Sequence, residues 1–286
     1  MKLLRLGAPG EERPAVLQDE EQAADVSQYV VDYGPGFFAD GGLLHLRRVM
    51  DEHGPELPKL RLVDHRIGPP IARPGKILGI GLNYEDHARE SGAPLPEEPV
   101  VFMKATNTLV GPRDAVWLPR QGHKVDWEVE LGVVVAGTAR YLPDERAAAQ
   151  LIAGYCVSND VSERSFQLER GGQWVKGKSC ETFNPLGPWL VTRDEVPDVQ
   201  DLELRLSVNE ELMQQGNTKA MIFGVAHLVW YLSQFMVLEP GDLITTGTPS
   251  GIGMAKSPPR FLRDGDVMEL SIEGLGVQRL TCRPAP

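Results

Sequence analysis

Cysteine is scarce in this chain. There are three, Cys156, Cys180 and Cys282, an odd number with no CxxC pair. That excludes a disulfide framework and a zinc knuckle as organising devices. Nucleophilic use of Cys180 stays open beside the commoner role of a free thiol as a small core residue. Positive charge is also short: 29 Lys and Arg face 40 Asp and Glu, for a formal net charge of -11. With a pI of about 5.1, no nucleic-acid or anionic-membrane partner is expected, because both select basic patches. Long hydrophobic runs are missing as well. The strongest, at residues 131–136 and 225–235, are too short to span a bilayer. The N-terminal MKLLRLGAPG lacks the apolar stretch of a signal peptide. The expectation is a soluble, cytoplasmic protein.

What is present is apolar residues in short strand-like runs, with 30 Gly and 23 Pro to turn between them. At 286 residues the chain can form one large core domain with a smaller one appended. Residues 1–70 read as the smaller unit, mostly irregular, with strand-like pieces at 3–6 and 15–18 and a short helix at 43–50. Pro69-Pro70 and Pro74-Gly75 mark a linker over 71–75. From 76 to 286 the pattern is mostly β. Strands are expected at 77–82, 100–104, 128–135, 155–161, 202–208, 243–246 and 267–272, with helices at 144–153 and 225–234.

Four groups of residues could carry chemistry. Asp126, Glu128 and Glu130 are spaced by two, which in a strand places all three carboxylates on one face. Like charges on one face repel. The face is therefore either solvated or holds a divalent cation, and Asp160 on a second strand would complete an oxygen-donor set suited to Mg²⁺. His87 and Glu90 are an i,i+3 pair after the strand at 77–82. They are either a general-base dyad or an ordinary surface contact. Arg164, Gln167 and Lys178 follow Asp160 and offer donors to a carboxylate or enolate, or else are solvated. Thr246-Gly-Thr-Pro-Ser-Gly251 either presents backbone N–H groups and Thr248 to an anion or is a plain turn.

Together and in order, these segments resemble the fumarylacetoacetate hydrolase family. The resemblance rests on Gly79-Ile-Gly-Leu-Asn-Tyr-Glu-Asp-His87, Glu98 to Lys104, Asp126-Trp-Glu-Val-Glu-Leu-Gly132, Asn159-Asp-Val-Ser-Glu-Arg164, Gly177-Lys-Ser179, Leu238-Glu-Pro-Gly-Asp242 and Thr246-Gly-Thr-Pro249. It implies an α+β fold, mostly β: a mixed β-sandwich roll with a small N-terminal domain, forming a homodimer with one Mg²⁺ or Mn²⁺ per subunit. By the same resemblance Glu128, Glu130 and Asp160 are the metal ligands, and His87 with Glu90 activates water. Lys178 faces the reacting oxygens, and Arg164, Gln167 and Thr248 contact substrate, with Lys104 a further candidate. Asp126 supports the ligands. Leu82 departs from relatives that carry Arg there. Segments such as Gly172 to Cys180 are similar to the bacterial 2,4-diketo-3-deoxy-L-rhamnonate and L-fuconate hydrolases of sugar-acid catabolism. The implied reaction is hydrolysis of the C3–C4 bond of a 2,4-dioxo acid to pyruvate and a second acid. Oxaloacetate decarboxylation, dioxo-acid isomerisation or tautomerisation, and non-catalytic 2-oxo-acid binding are the alternatives.

Overall fold

The computed structural model describes all 286 residues. Strands β1 (Lys2–Leu6), β2 (Arg13–Leu17) and β3 (Gln22–Asp25) form an antiparallel meander. Helices α1 (Pro35–Ala39) and α2 (Gly42–His53) follow, and β4 (Lys59–Arg61) returns to pair with β3. Next come β5 (Ile77–Gly81), α3 (Glu85–Glu90), β6 (Val100–Lys104), β7 (Leu109–Val110), β8 (Val116–Leu118) and β9 (Val125–Asp126). The middle of the chain holds β10 (Val129–Val135), α4 (Glu145–Gln150), β11 (Ile152–Asn159), β12 (Ser162–Glu163), α5 (Arg164–Leu168), α6 (Val175–Lys178), β13 (Asn184–Pro185) and β14 (Leu190–Thr192). It closes with β15 (Glu203–Val208), β16 (Glu211–Asn217), α7 (Val225–Ser233), β17 (Leu243–Thr245), β18 (Val267–Ile272) and β19 (Gly276–Pro284).

Ten strands make one mixed sheet in the order β4-β3-β2-β1-β14-β11-β10-β17-β5-β6. Five more form a second sheet, β16-β15-β18-β19-β8. The sheets face each other across the main core. Val129, Leu131 and Val133 of β10 meet Leu204, Leu206, Met268, Leu270 and Leu280 there. The opposite face of the large sheet is covered too: Val134, Ile77, Leu243 and Leu3 pack with Phe38, Leu46 and Val49 of α1 and α2. This explains why β10 is buried at every position. A strand covered on both faces becomes a near-continuous apolar run.

Several sequence expectations change here. Residues 1–70 are not mostly irregular. They supply four strands and two helices, and β1 pairs with β14, so the sheet runs on through them. The helix expected at 144–153 spans only Glu145–Gln150, with Asp144 capping it by accepting from the Ala147 N–H at 2.7 Å. Ile152 onward pairs with β10 instead, because the ladder satisfies the backbone over eight residues. Asp126, Glu128 and Glu130 do not share one strand. Asp126 lies in β9, paired to β12, Glu130 lies in β10, and Glu128 sits between them. No helix is long and apolar enough to cross a membrane.

Leu3 is fully buried in the same core as Val134 and Leu190. Truncating Leu3→Ala should cost about 2–5 kcal/mol through lost burial and a residual cavity. Urea unfolding should show one cooperative transition moved to lower denaturant. A first transition that moves while a second stays fixed would show that the N-terminal strands fold separately.

Candidate active site

The large sheet places three carboxylates together. β10 and β11 are antiparallel with Glu130 opposite Ser158, so the residue after β11, Asp160, arrives beside the start of β10. The Asp160 N–H donates to the Glu128 carbonyl at 3.0 Å and fixes that turn. One oxygen from each of Glu128, Glu130 and Asp160 lies within 4.8 Å of the others, and all three residues are buried.

Three buried cations hold this cluster. Lys178 Nζ donates to Glu128 Oε2 at 2.8 Å and to Asp160 Oδ2 at 2.5 Å. Arg164 donates to Glu128 Oε1 at 2.7 Å, to Asp126 Oδ2 at 2.9 Å and to Gln167 Oε1 at 3.0 Å. Lys104 pairs with Asp160 and donates to the Phe183 carbonyl at 2.6 Å. Burial disfavours the Glu128 carboxylate, but Lys178 and Arg164 outweigh it and hold its pKa well below the usual range. Burial likewise opposes the Lys178 ammonium, and Asp160 and Glu128 overcome it, so its pKa stands above that of an ordinary lysine. Lys104 shifts down, because its burial is more than Asp160 offsets.

Glu130 is the exception. Its one hydrogen bond is from the Gly247 N–H at 2.8 Å, and the salt bridges of Lys104, Arg164 and Lys178 all go elsewhere. Burial first, then Asp160 and Glu128, push its pKa well up. A buried carboxylate without a cation is costly. The donor set is all oxygen and carries excess negative charge, which suits a hard divalent ion. The residues therefore fit Mg²⁺ or Mn²⁺, and they could hold it through Glu128, Glu130 and Asp160.

The His87–Glu90 pair forms as its spacing predicts. His87 Nδ1 lies 3.0 Å from Glu90 Oε1. Glu90 in turn accepts from the Gly251 N–H, at 3.0 and 2.9 Å to its two oxygens. Asp86 takes the Ser250 hydroxyl at 2.7 Å. Helix α3 is thus clamped onto the loop 246–251. Most of this loop's N–H groups are spent inside the protein: Gly247, Ser250 and Gly251 donate to carboxylates and Thr246 to the Leu131 carbonyl, which leaves the Thr248 N–H as the one the loop can offer to an anion. The Thr248 hydroxyl is also engaged. It donates to the Val129 carbonyl at 2.9 Å and accepts from Gln214 Nε2 at 2.8 Å.

A cavity of about 210 Å³ opens over the cluster. His87, Glu128, Glu130, Arg164, Gln167, Lys178 and Thr248 line it. Glu90 stands behind His87, Asp126 behind Arg164, and Lys104 behind Asp160; none of these three reaches the cavity. Asp126 accepts Arg164 together with the Trp127, Gly253 and Met254 N–H groups, which is a supporting role. Gln214 was not anticipated. It is buried, donates to Thr248 and Pro249, and accepts from the Val129 N–H. A Gln in an edge strand carries no sequence signal for this role. Cys180 is outside the cavity, and burial, then Glu163, push its thiol up to about 11. A thiol so raised is a poor nucleophile at neutral pH.

Comparison with known proteins agrees with this fold. A protein of Burkholderia multivorans is 51% identical over 286 residues, covering all of both chains, and its name states no substrate. The fumarylacetoacetate hydrolase of psychrophilic Exiguobacterium antarcticum is 32% identical with a TM-score of 0.87, covering all of both chains. The maleylpyruvate hydrolase of Sphingobium sp. SYK-6, solved in complex with manganese(II) ion and pyruvate, is 27% identical with a TM-score of 0.83 and the same full coverage. The model of the Fumarylacetoacetate (FAA) hydrolase C-terminal family matches residues 76–283, and the chain belongs to that family.

Proposed function

We propose that this protein is a metal-dependent hydrolase that cleaves the C3–C4 bond of a 2,4-dioxo acid, releasing pyruvate and a second acid. An acylpyruvate or a 2,4-diketo-3-deoxy sugar acid fits this description. The observation that carries the reading is the opening of His87, with Glu90 behind it, into the cavity that Glu128 and Glu130 line, with Asp160 beside them in the buried carboxylate triad. A relative solved with manganese and pyruvate supports it.

The residues divide the work. Glu128, Glu130 and Asp160 would hold the cation, which when bound supplies Lewis-acid stabilisation of negative charge on the 2-oxo acid oxygens. Glu90 accepts at His87 Nδ1, which fixes the ring with Nε2 free to accept a proton. His87 then takes a proton from water as the water adds to the C4 carbonyl. Breaking C3–C4 leaves the electron pair on C3 as the pyruvate enolate. The Lys178 ammonium faces the cavity and stabilises that developing charge. Protonation at C3 yields pyruvate. Arg164 is held by Asp126, Glu128 and Gln167 through its three guanidinium nitrogens, so it orients the cluster at the cavity wall.

His87→Ala should lower kcat by roughly 10²–10⁴-fold, the usual worth of general-base catalysis. A coupled pyruvate-release assay over a panel of 2,4-dioxo acids with Mn²⁺, Mg²⁺ or chelator measures it, and unchanged turnover would remove His87 from the mechanism. If CO₂ or an isomeric dioxo acid is the only product, the hydrolase assignment fails. Glu130→Gln should abolish Mn²⁺ binding in calorimetry. In chelator the same variant should melt above the native chain, because burial, Asp160 and Glu128 disfavour the ionised Glu130 and an amide has no charge to form. A lower melting temperature would contradict the electrostatic cost assigned to Glu130. Cys180→Ser should keep turnover within about twofold, since surface-proximal substitutions away from the chemistry have small effects. Loss of activity there would restore a nucleophilic thiol.

A further inference from the structure

The proposed chemistry uses one end of the cavity and leaves the other unexplained. Beyond the carboxylates, the wall is made by Leu82, Phe102, Leu168, Trp174, Ile252 and Met254. This apolar wall is built into the sheet. Gly79 and Gly81 lie on the same face of β5 as Ile77, and both lack the side chain that would fill the space. A Cβ at Gly79 would stand 2.2 Å from the Phe102 ring, and one at Gly81 would stand 2.6 Å from the Trp174 ring. The two rings sit with centroids 5.5 Å apart at 56°. Phe102 also borders the reacting end, with Lys178 Nζ 4.9 Å from its centroid.

The charges of the cavity are all committed. Lys178 is paired with Glu128 and Asp160, Arg164 with Asp126 and Glu128, and His87 with Glu90. The nearby Gly247 and Gly251 N–H groups are spent on Glu130 and Glu90. A second carboxylate on the substrate would reach the aromatic wall with no cation to meet it, and burying an unpaired anion is strongly unfavourable. An uncharged group would gain from stacking on the rings and from apolar burial.

Building on the hydrolase reading, we propose that the substrate segment beyond C4 is uncharged and packs on the Phe102–Trp174 wall. The chain then selects 2,4-dioxo monocarboxylates over dicarboxylates, and Phe102, Trp174 and Leu82 determine that choice.

The test uses the Mn²⁺-loaded protein and matched ligands. 2-Oxoheptanoate and 2-oxoheptanedioate lack the 4-oxo group and cannot be cleaved, so their binding, read by calorimetry, does not depend on hydrolysis. The monoacid should bind about 30-fold or more tightly, a difference of about 2 kcal/mol at tenfold per 1.4 kcal/mol. Trp174→Ala should weaken the monoacid roughly tenfold and leave the diacid unchanged, in line with stacking and burial of one aromatic face. Leu82→Arg, which puts a cation on the wall, should narrow or reverse the preference. Turnover of 2,4-dioxoheptanoate, its diacid counterpart and a dihydroxylated 2,4-dioxo acid of equal length should follow the same order, with the two uncharged chains ahead and their ranking separating an alkyl from a polyol source. Diacid binding within about threefold of the monoacid overturns the inference, whether or not any dioxo acid is cleaved. A retained binding preference with no cleavage of any substrate supports the inference and sinks the hydrolase reading alone.

Discussion

Asp126, Glu128, Glu130 and Asp160 are buried in one cluster with Lys104, Arg164 and Lys178, and most of the site's architecture serves to keep those charges together. Two of the cations bridge carboxylates: Arg164 joins Asp126 to Glu128, and Lys178 joins Glu128 to Asp160, while Lys104 pairs with Asp160 alone. A buried pair stays in place only when its hydrogen bonds are satisfied, because desolvation of each charge is expensive. The bridging ties β9, the start of β10, the end of β11 and helices α5 and α6 to one point. Four carboxylates against three cations leave Glu130 as the member without a positive partner, and this excess suits the cluster to a divalent ion.

The sheet supports this arrangement by alternation. On β10, Val129, Leu131 and Val133 face the sandwich core, while Val134 faces the helices α1 and α2. Glu130 keeps the parity of Val134 and so points away from the apolar sandwich. On β5, Ile77 packs into the helix-side core, whereas Gly79 and Gly81 farther along the same face admit Phe102 and Trp174. One face of one sheet therefore passes from structural packing to a ligand cavity within a few residues. Helix α3 closes that end, held down by Asp86 and Glu90 on the loop 250–251. His87 owes its position to the same contacts that orient its ring.

Local spacing was enough to read some of this. The His87–Glu90 contact is an i,i+3 relation that needs only one helical turn, and the structure has it at 3.0 Å. The strands at 77–81, 100–104 and 203–208 follow from short apolar runs between turn residues. Other features were beyond such reasoning. The strand-like pieces at 3–6 and 15–18 correspond to β1 and β2, but β3 and β4 carried no clear signal because each is short, and all four are ordered by pairing in sequence from β14 outward. Asp126 shares the spacing of Glu128 and Glu130, but β9 pairs with β12 and turns it toward Arg164. Gln214 has no local signal at all, since its three partners lie 34, 35 and 85 residues away.

By itself the sequence determined the kinds of groups available: an acid-rich chain without a disulfide framework, short apolar strands, three carboxylates spaced by two, and a histidine one turn from a glutamate. These are local properties, and local physics fixes them. Only the tertiary structure decided which carboxylates converge, which cations are spent on them, and that Glu130 is left unpaired. It also decided that the cavity's outer wall is aromatic and carries no free charge. Burial, desolvation and the pairing of charges depend on what the fold brings within a few ångströms, and no spacing along the chain encodes that distance.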